Sequence, residues 1–465
     1  MKRSVLLLIG LIQFVITNGQ NALPIVRANS KISSLREGNV YKKDFWTITP
    51  EARPDVWTIE VSKSSTVRAA LITDVDSIIF NVELGKTYDF VVLLNGKDSA
   101  FTQIKGVPTP ATFTEEYKLK MNNQTTAEIP EMYELVHIVL ALTDFEIKDS
   151  DQVVHTTPYY TDLRTWFDPY KNEFIVLTFD SLLKKQFWSY FYLKMDAYSF
   201  IFEKNHIVQS PVYDRTSWGG ENVLLPYIKA LEEFAVKSSF DKFYRQHMNL
   251  YSDQISYTKD SLNTDGMRDW LSKNFPGTSY NSLKVIFSPL VGGSQCENTI
   301  INNGFKEVHA HVNFPYSYPQ LEKYLSSTQN IIRGNVLFTE YNHAFINPEA
   351  DKYSNDPKLL KAFADLSQWE QPNSGASAGY TNVMTCFEEY LNWGLVNLRY
   401  VDLLTIEEQN KLIPGIDRMM KEGRGFTKFP EFSTMLVDLY RNRGKDQTLA
   451  DLYPAIIDWC SKQVK

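Results

Sequence analysis

Residues 339 to 343 read Thr-Glu-Tyr-Asn-His. The zinc-binding pattern H-E-x-x-H puts two imidazoles one helical turn apart, with a carboxylate beside them to serve as base. Glu340 and His343 stand where that pattern has its Glu and its second His, and Thr339 stands where the first His belongs. In such a site a metal-acidified water loses its proton to the Glu, and the hydroxide attacks a peptide carbonyl. A substitute for the missing imidazole could come from the run VHAHVNF, where His309 and His311 lie two apart and so share one strand face. The same alternation arises in a half-buried strand with no metal role. Tyr380, in SGASAGYTNV, could donate to a developing oxyanion.

Two strand-like runs, SLKVIFSPLV and FKEVHAHVNF, precede the helix that holds TEYNH, and a longer helical stretch, TCFEEYLNWGLVNLRYVDLL, follows it. Asn347-Pro348 is expected to close the TEYNH helix, because a residue before proline is pushed out of the helical region. Upstream, IPEMYELVHIVLALTDF reads as a helix with Met132, Leu135, Val136, Val139 and Leu140 on one stripe and Pro130 at its first turn. From about Gln20 to Val107 the pattern is β. IIFNVEL followed by YDFVVLL predicts a hairpin, the GK and NGK pairs read as turns, and GVPTPATFT reads as the linker out of the domain.

The chain opens MKRSVLLLIGLIQFVITNGQ, a basic start and an apolar run too short to span a bilayer, so residues 1–19 are expected to be a signal peptide. Export to the periplasm or the extracellular space follows from that reading. No later run reaches the roughly 20 apolar residues of a membrane helix. Without Lys2 and Arg3, 46 of the 48 basic residues face 55 acidic ones, a net charge of −9 with no basic stripe, which excludes nucleic acid as the natural partner. Three cysteines, Cys296, Cys386 and Cys460, allow one bridge without saying which, and do not make a disulfide framework.

TEYNHAFINPEADKY, GYTNVMTCFEEYLNWGLVNLRY and IPEMYELVHIVLALTDF together resemble the family called domain of unknown function 4932, regarded as gluzincin-like zinc peptidases on the strength of an H-E-x-x-H helix. The resemblance implies an α+β fold. A small all-β domain (20–107) would precede a mainly helical, zincin-like domain with a small sheet (108–465). It also implies zinc as cofactor and a peptide or protein substrate. By position, His343 would be the second metal ligand, Glu340 the general base, and Glu389 of FEEYLNW the third ligand. Glu388 beside it points elsewhere on the helix.

Thr339 departs from the family pattern. A structural zinc site gains roughly 10–16 kcal/mol from about four ligands, so one ligand is worth ~3 kcal/mol. That is about a hundredfold in affinity. Three readings follow. The first is an exported zinc-dependent peptidase with a degenerate motif. The second is a pseudopeptidase whose cleft holds a peptide or protein partner. The third, from another class, is a glycan-binding or glycan-processing protein, which exposed tryptophans lining a groove would favour.

Overall fold

The computed structural model describes residues 23–62, 65–149, 151–316 and 320–464, in two compact units, Met1–Thr109 and Pro110–Lys465. The expected signal segment lies outside the described residues. The chain is α+β, with an all-β region followed by a mainly helical part that holds a small sheet.

The first unit contains β1 (Ile25–Ala28), β2 (Ile32–Glu37), β3 (Val40–Thr47), β4 (Asp55–Val61), β5 (Thr66–Ile72), β6 (Ser77–Glu83), β7 (Thr87–Leu94) and β8 (Asp98–Pro108). They form two four-stranded sheets, ordered β1-β7-β8-β4 and β3-β2-β5-β6. Inward residues of both, among them Leu35, Leu71 and Val82 from one and Ile59, Phe90 and Val92 from the other, make one core. The hairpin expected from IIFNVEL and YDFVVLL does not form, because β6 pairs with β5 while β7 pairs with β8 and β1. Alternation identifies strands but not their partners. The NGK turn does close a hairpin, β7 to β8, with Asn95 and Gly96 both at positive φ. Strand β8 also runs through Gly106, Val107 and Pro108, so the first residues of the expected linker are strand.

In the second unit the sheet has the order β13-β14-β12-β9, built from β9 (Gln124–Glu128), β12 (Ser282–Ser288), β13 (Cys296–Asn302) and β14 (Phe305–Asn313). A separate hairpin, β10 (Phe200–Glu203) with β11 (His206–Gln209), lies between them in the chain. Strands β9, β12 and β14 are parallel, and β13 is an antiparallel edge strand on β14. Every residue of β12 is buried, as expected of a central strand covered on both faces. The helices that build the site are α1 (Glu131–Ala141), α2 (Phe174–Lys185), α3 (Ser189–Ala197), α4 (Asn335–Ala350) and α5 (Val383–Leu403).

Helix α1 is buried at every position after Glu131, so its expected stripe is only one side of a fully enclosed element. Helix α4 carries TEYNH and does not stop at Asn347; it runs through Pro348 to Ala350. Proline leaves the carbonyl four residues back without its usual amide donor. Here that carbonyl belongs to Ala344, and the Tyr280 hydroxyl donates to it. The side chain of a distant tyrosine therefore supplies the donor that the proline lacks, so the carbonyl is paired where the helix runs on past the proline.

Candidate functional site

Helices α4 and α5 pack against each other, and the start of α3 and edge strand β13 line, with them, a cleft of about 790 Å³. Thr339, Glu340 and His343 line it from α4, Glu389, Asn392 and Trp393 from α5, and Tyr380 and Arg424 from the segments flanking α5. The structure thus brings together Glu340, His343, Glu389 and Tyr380 from positions up to 49 residues apart in the chain.

Glu389 is the hub. It is 2 % exposed, and one oxygen accepts from Arg424 Nη1 at 2.5 Å. Its other oxygen accepts from Asn392 Nδ2 at 3.2 Å and lies 3.7 Å from His343 Nε2. The Asn392 amide also donates to His343 Nε2 at 2.9 Å, which puts the ring proton on Nδ1. Asn392 follows Glu389 by three residues, so the two share a helix face and can hold the same partner. Burial alone would raise the Glu389 carboxyl, but the Arg424 charge, then His343 and the hydrogen bonds, hold it below the ordinary carboxylate range.

Arg424 is fixed as firmly as its partner. It ends a π-helical turn, Met419–Arg424, and Gly425 after it has φ +93°, where a Cβ would also collide with Ser374. The guanidinium donates to the Tyr380 hydroxyl at 2.8 Å and faces the rings of Tyr380, Trp393 and Phe426 at 5.6, 5.6 and 5.3 Å. The Tyr380 hydroxyl is bound to both members of the ion pair, and burial pushes its ionisation well up.

Thr339 is 2 % exposed, and its hydroxyl donates to the carbonyl of Val336 one turn back at 2.7 Å. That bond is the local one threonine makes on a helix. His309 and His311 do not line the cleft. Both are fully buried; His309 Nε2 pairs with Glu307 at 2.8 Å, and His311 Nδ1 meets the Tyr133 hydroxyl of α1 at 3.3 Å. On β14 His311 faces Tyr133 of α1, and His309 faces Tyr198 and Tyr213; Val312, on the opposite face, sits beside Val336 and Leu337 of α4. Strand alternation put them together, but they lie on the inner strand β14, and the cleft is lined by its edge neighbour β13, from which Cys296, paired with His311, reaches it. Glu388 points away, with burial and then the nearby Asp351 pushing it up to about 8.

Among the described residues no group of three or more His, Cys, Asp or Glu side chains is arranged to hold a metal ion. The donor chemistry agrees with that. His343 Nε2 takes an amide hydrogen, Glu389 takes a guanidinium, and Thr339 is turned to its own helix. The residues present do not fit a zinc ion. The three cysteines are free and buried, so the bridge the sequence allowed is not made.

Some of the cleft escaped sequence reasoning. Behind the cleft wall, Lys194 of α3 is fully buried, donates to the Ser294 carbonyl, and lies near enough to the lining residues Cys296 and Glu340 for both to act on its charge. Burial lowers its affinity for a proton, and pushes the Cys296 thiol up to about 12, an unreactive state. Glu297 is pushed up to about 7 by burial. Only Asn392 carried a usable signal, its three-residue spacing from Glu389.

Glu340 is pushed up to about 8, by burial first and then by the Glu389 charge. A raised carboxyl has a definite sign. Below about pH 4.5 Glu340 is protonated folded or unfolded and contributes nothing; between there and about 8 the unfolded chain alone ionises, and stability falls. Glu340→Gln is therefore expected to stabilise the unit by about 2 kcal/mol at pH 8, less than the full shift because the carboxyl sits at a cleft wall, and by nothing at pH 4. Urea unfolding at the two pH values checks this, and an equal gain at both would place the cause outside the charge.

The fold and site define an α+β unit with a helix-lined polar cleft organised around one buried carboxylate–guanidinium pair. Residues 126–459 match the family described as Domain of unknown function (DUF4932), and the chain belongs to that family. No curated protein and no solved structure matches it.

Proposed function

We propose that the cleft is a metal-free derivative of a zinc-peptidase site, used to hold a ligand and not to hydrolyse peptides through zinc. The arrangement of a mixed sheet, an antiparallel edge strand, a helix with E-x-x-H and a later helix with Glu389 supports descent from a gluzincin-type site. One observation carries the metal-free reading. The carboxylate that would be the third ligand is already neutralised by Arg424, a cation fixed by its own aromatic box. A divalent ion would have to displace a buried guanidinium and compete with the charge left behind. Export is part of the proposal, resting on the apolar N-terminal run.

Elemental mass spectrometry on the full mature chain, after supply of zinc and removal of the excess, tests the reading. Far less than one zinc per chain is expected, because the Glu389 carboxylate is already paired with Arg424 and the first imidazole is missing. Near-stoichiometric zinc that disappears in Glu389→Ala would overturn it and restore the peptidase mechanism.

A further inference from the structure

Phe187 and Trp188, at the break between α2 and α3, begin a run of rings along the cleft that continues through Phe191 to Trp218. Successive centroids are 4.6, 5.2 and 5.9 Å apart, and successive planes are tilted by 37°, 34° and 35°. The rings form a curved shelf and not a packed cluster. Phe187, Trp188 and Trp218 are 44, 42 and 47 % exposed, although apolar rings of that size are more stable when covered. The shelf is held in shape before any ligand arrives. Trp218 Nε1 donates to the Glu297 carbonyl at 3.0 Å, Tyr192 packs edge-on against the indole, and Phe191 is buried with Met195 and Cys296.

Resting on the metal-free reading above, we infer that this aromatic shelf and the polar residues of the same cleft form a binding site for a neutral carbohydrate. A sugar ring offers an apolar C–H face to an aromatic plane and a rim of hydroxyls that both donate and accept. The cleft offers both halves. Gln295, Asn392, His343, Glu297 and Glu340 supply the rim, and Asn392 Oδ1 has no partner among the described residues. Because Glu297 and Glu340 are pushed up to about 7 and 8, they offer donors as well as acceptors near neutral pH. The one firmly ionised carboxylate, Glu389, is matched by Arg424, so the charges present do not select a cation or an anion.

An extended peptide fits less well. It would add to edge strand β13, yet the Glu297 carbonyl is taken by Trp218, and Asn298 ties the same strand to the Thr216 carbonyl at 2.8 Å.

The test is a printed array of neutral glycans probed with the full mature chain. The best binder is then titrated in solution by calorimetry and tryptophan fluorescence, beside a neutral and a lysine-rich decapeptide. At least one neutral oligosaccharide is expected to bind and quench tryptophan. Trp188→Ala and Trp218→Ala should each weaken it about tenfold, and the double variant about a hundredfold, while each variant still unfolds in one cooperative transition. Binding to no array member, binding indifferent to the double variant, or displacement of the sugar by either peptide would overturn the inference. Zinc content of the same sample separates the two failures: a zinc-loaded chain would sink the metal-free reading and this inference's ground with it, whereas a zinc-free chain that binds no array member would sink this inference alone.

Discussion

Thr339→His alone is expected to gain little zinc affinity, whereas Thr339→His combined with Arg424→Met should bind zinc at least about a thousandfold more tightly than the wild-type chain. In a site whose other ligands are free, the first imidazole is worth ~3 kcal/mol, about a hundredfold. It does not free Glu389, which stays paired with Arg424 at 2.5 Å. Methionine keeps much of the apolar volume of the arginine stem among Tyr380, Trp393 and Phe426 while removing the guanidinium. Glu389 would then be a buried carboxylate in need of a cation, with two imidazoles beside it. Competition against a chelator of known affinity reads all three chains. Equal zinc binding by the single and double variants would show that Arg424 is no obstacle, and would leave Thr339 as the whole difference from an active site.

Part of this site was legible in the sequence because it depends on short-range spacing: Glu340 and His343 are one turn apart on any helix. Glu389 came from the family resemblance and not from spacing, and it lies on the later helix. Fold class followed in the same way, from alternation before Val107 and helical periods after it. What failed was whatever depends on a distant partner. The strands of IIFNVEL and YDFVVLL were visible, but not that they belong to different sheets. The proline in α4 looks like a stop because nothing local shows that Tyr280 will satisfy the Ala344 carbonyl. His309 and His311 were correctly placed on one strand face, but which face meets α4 is decided by the sheet's other neighbours. Arg424 sits in a Gly-flanked turn with no motif, and its charge redefines the site. A constellation can be read from one sequence while the ion that fills it cannot.

Arg424→Ala, tested for stability, should cost 3–5 kcal/mol at pH 7, the usual cost of leaving a buried charge without its partner. Glu389 would keep only the Asn392 amide, His343 and the Tyr380 hydroxyl, and its burial would then raise it. The pH dependence has a fixed sign. In the wild type the Glu389 carboxyl is held low, so the stability it contributes is fully present above about 4.5, its unfolded value, and is lost as pH falls through the lower folded one. In Arg424→Ala that contribution is gone, so the deficit against wild type should be largest near neutral pH and should shrink as both chains become protonated. Glu389→Leu with Arg424→Met removes both charges together and should recover at least half of the loss, because two apolar side chains of similar volume carry no desolvation penalty. Denaturant unfolding at pH 7 and pH 4 measures each term. If Arg424→Ala proved as stable as wild type at pH 7, the guanidinium would not be matching the Glu389 charge, and the ground for a metal-free cleft would be lost with it. If the deficit appears but the double variant recovers none of it, the packing of Arg424 in its aromatic box, and not its charge, is what the fold requires.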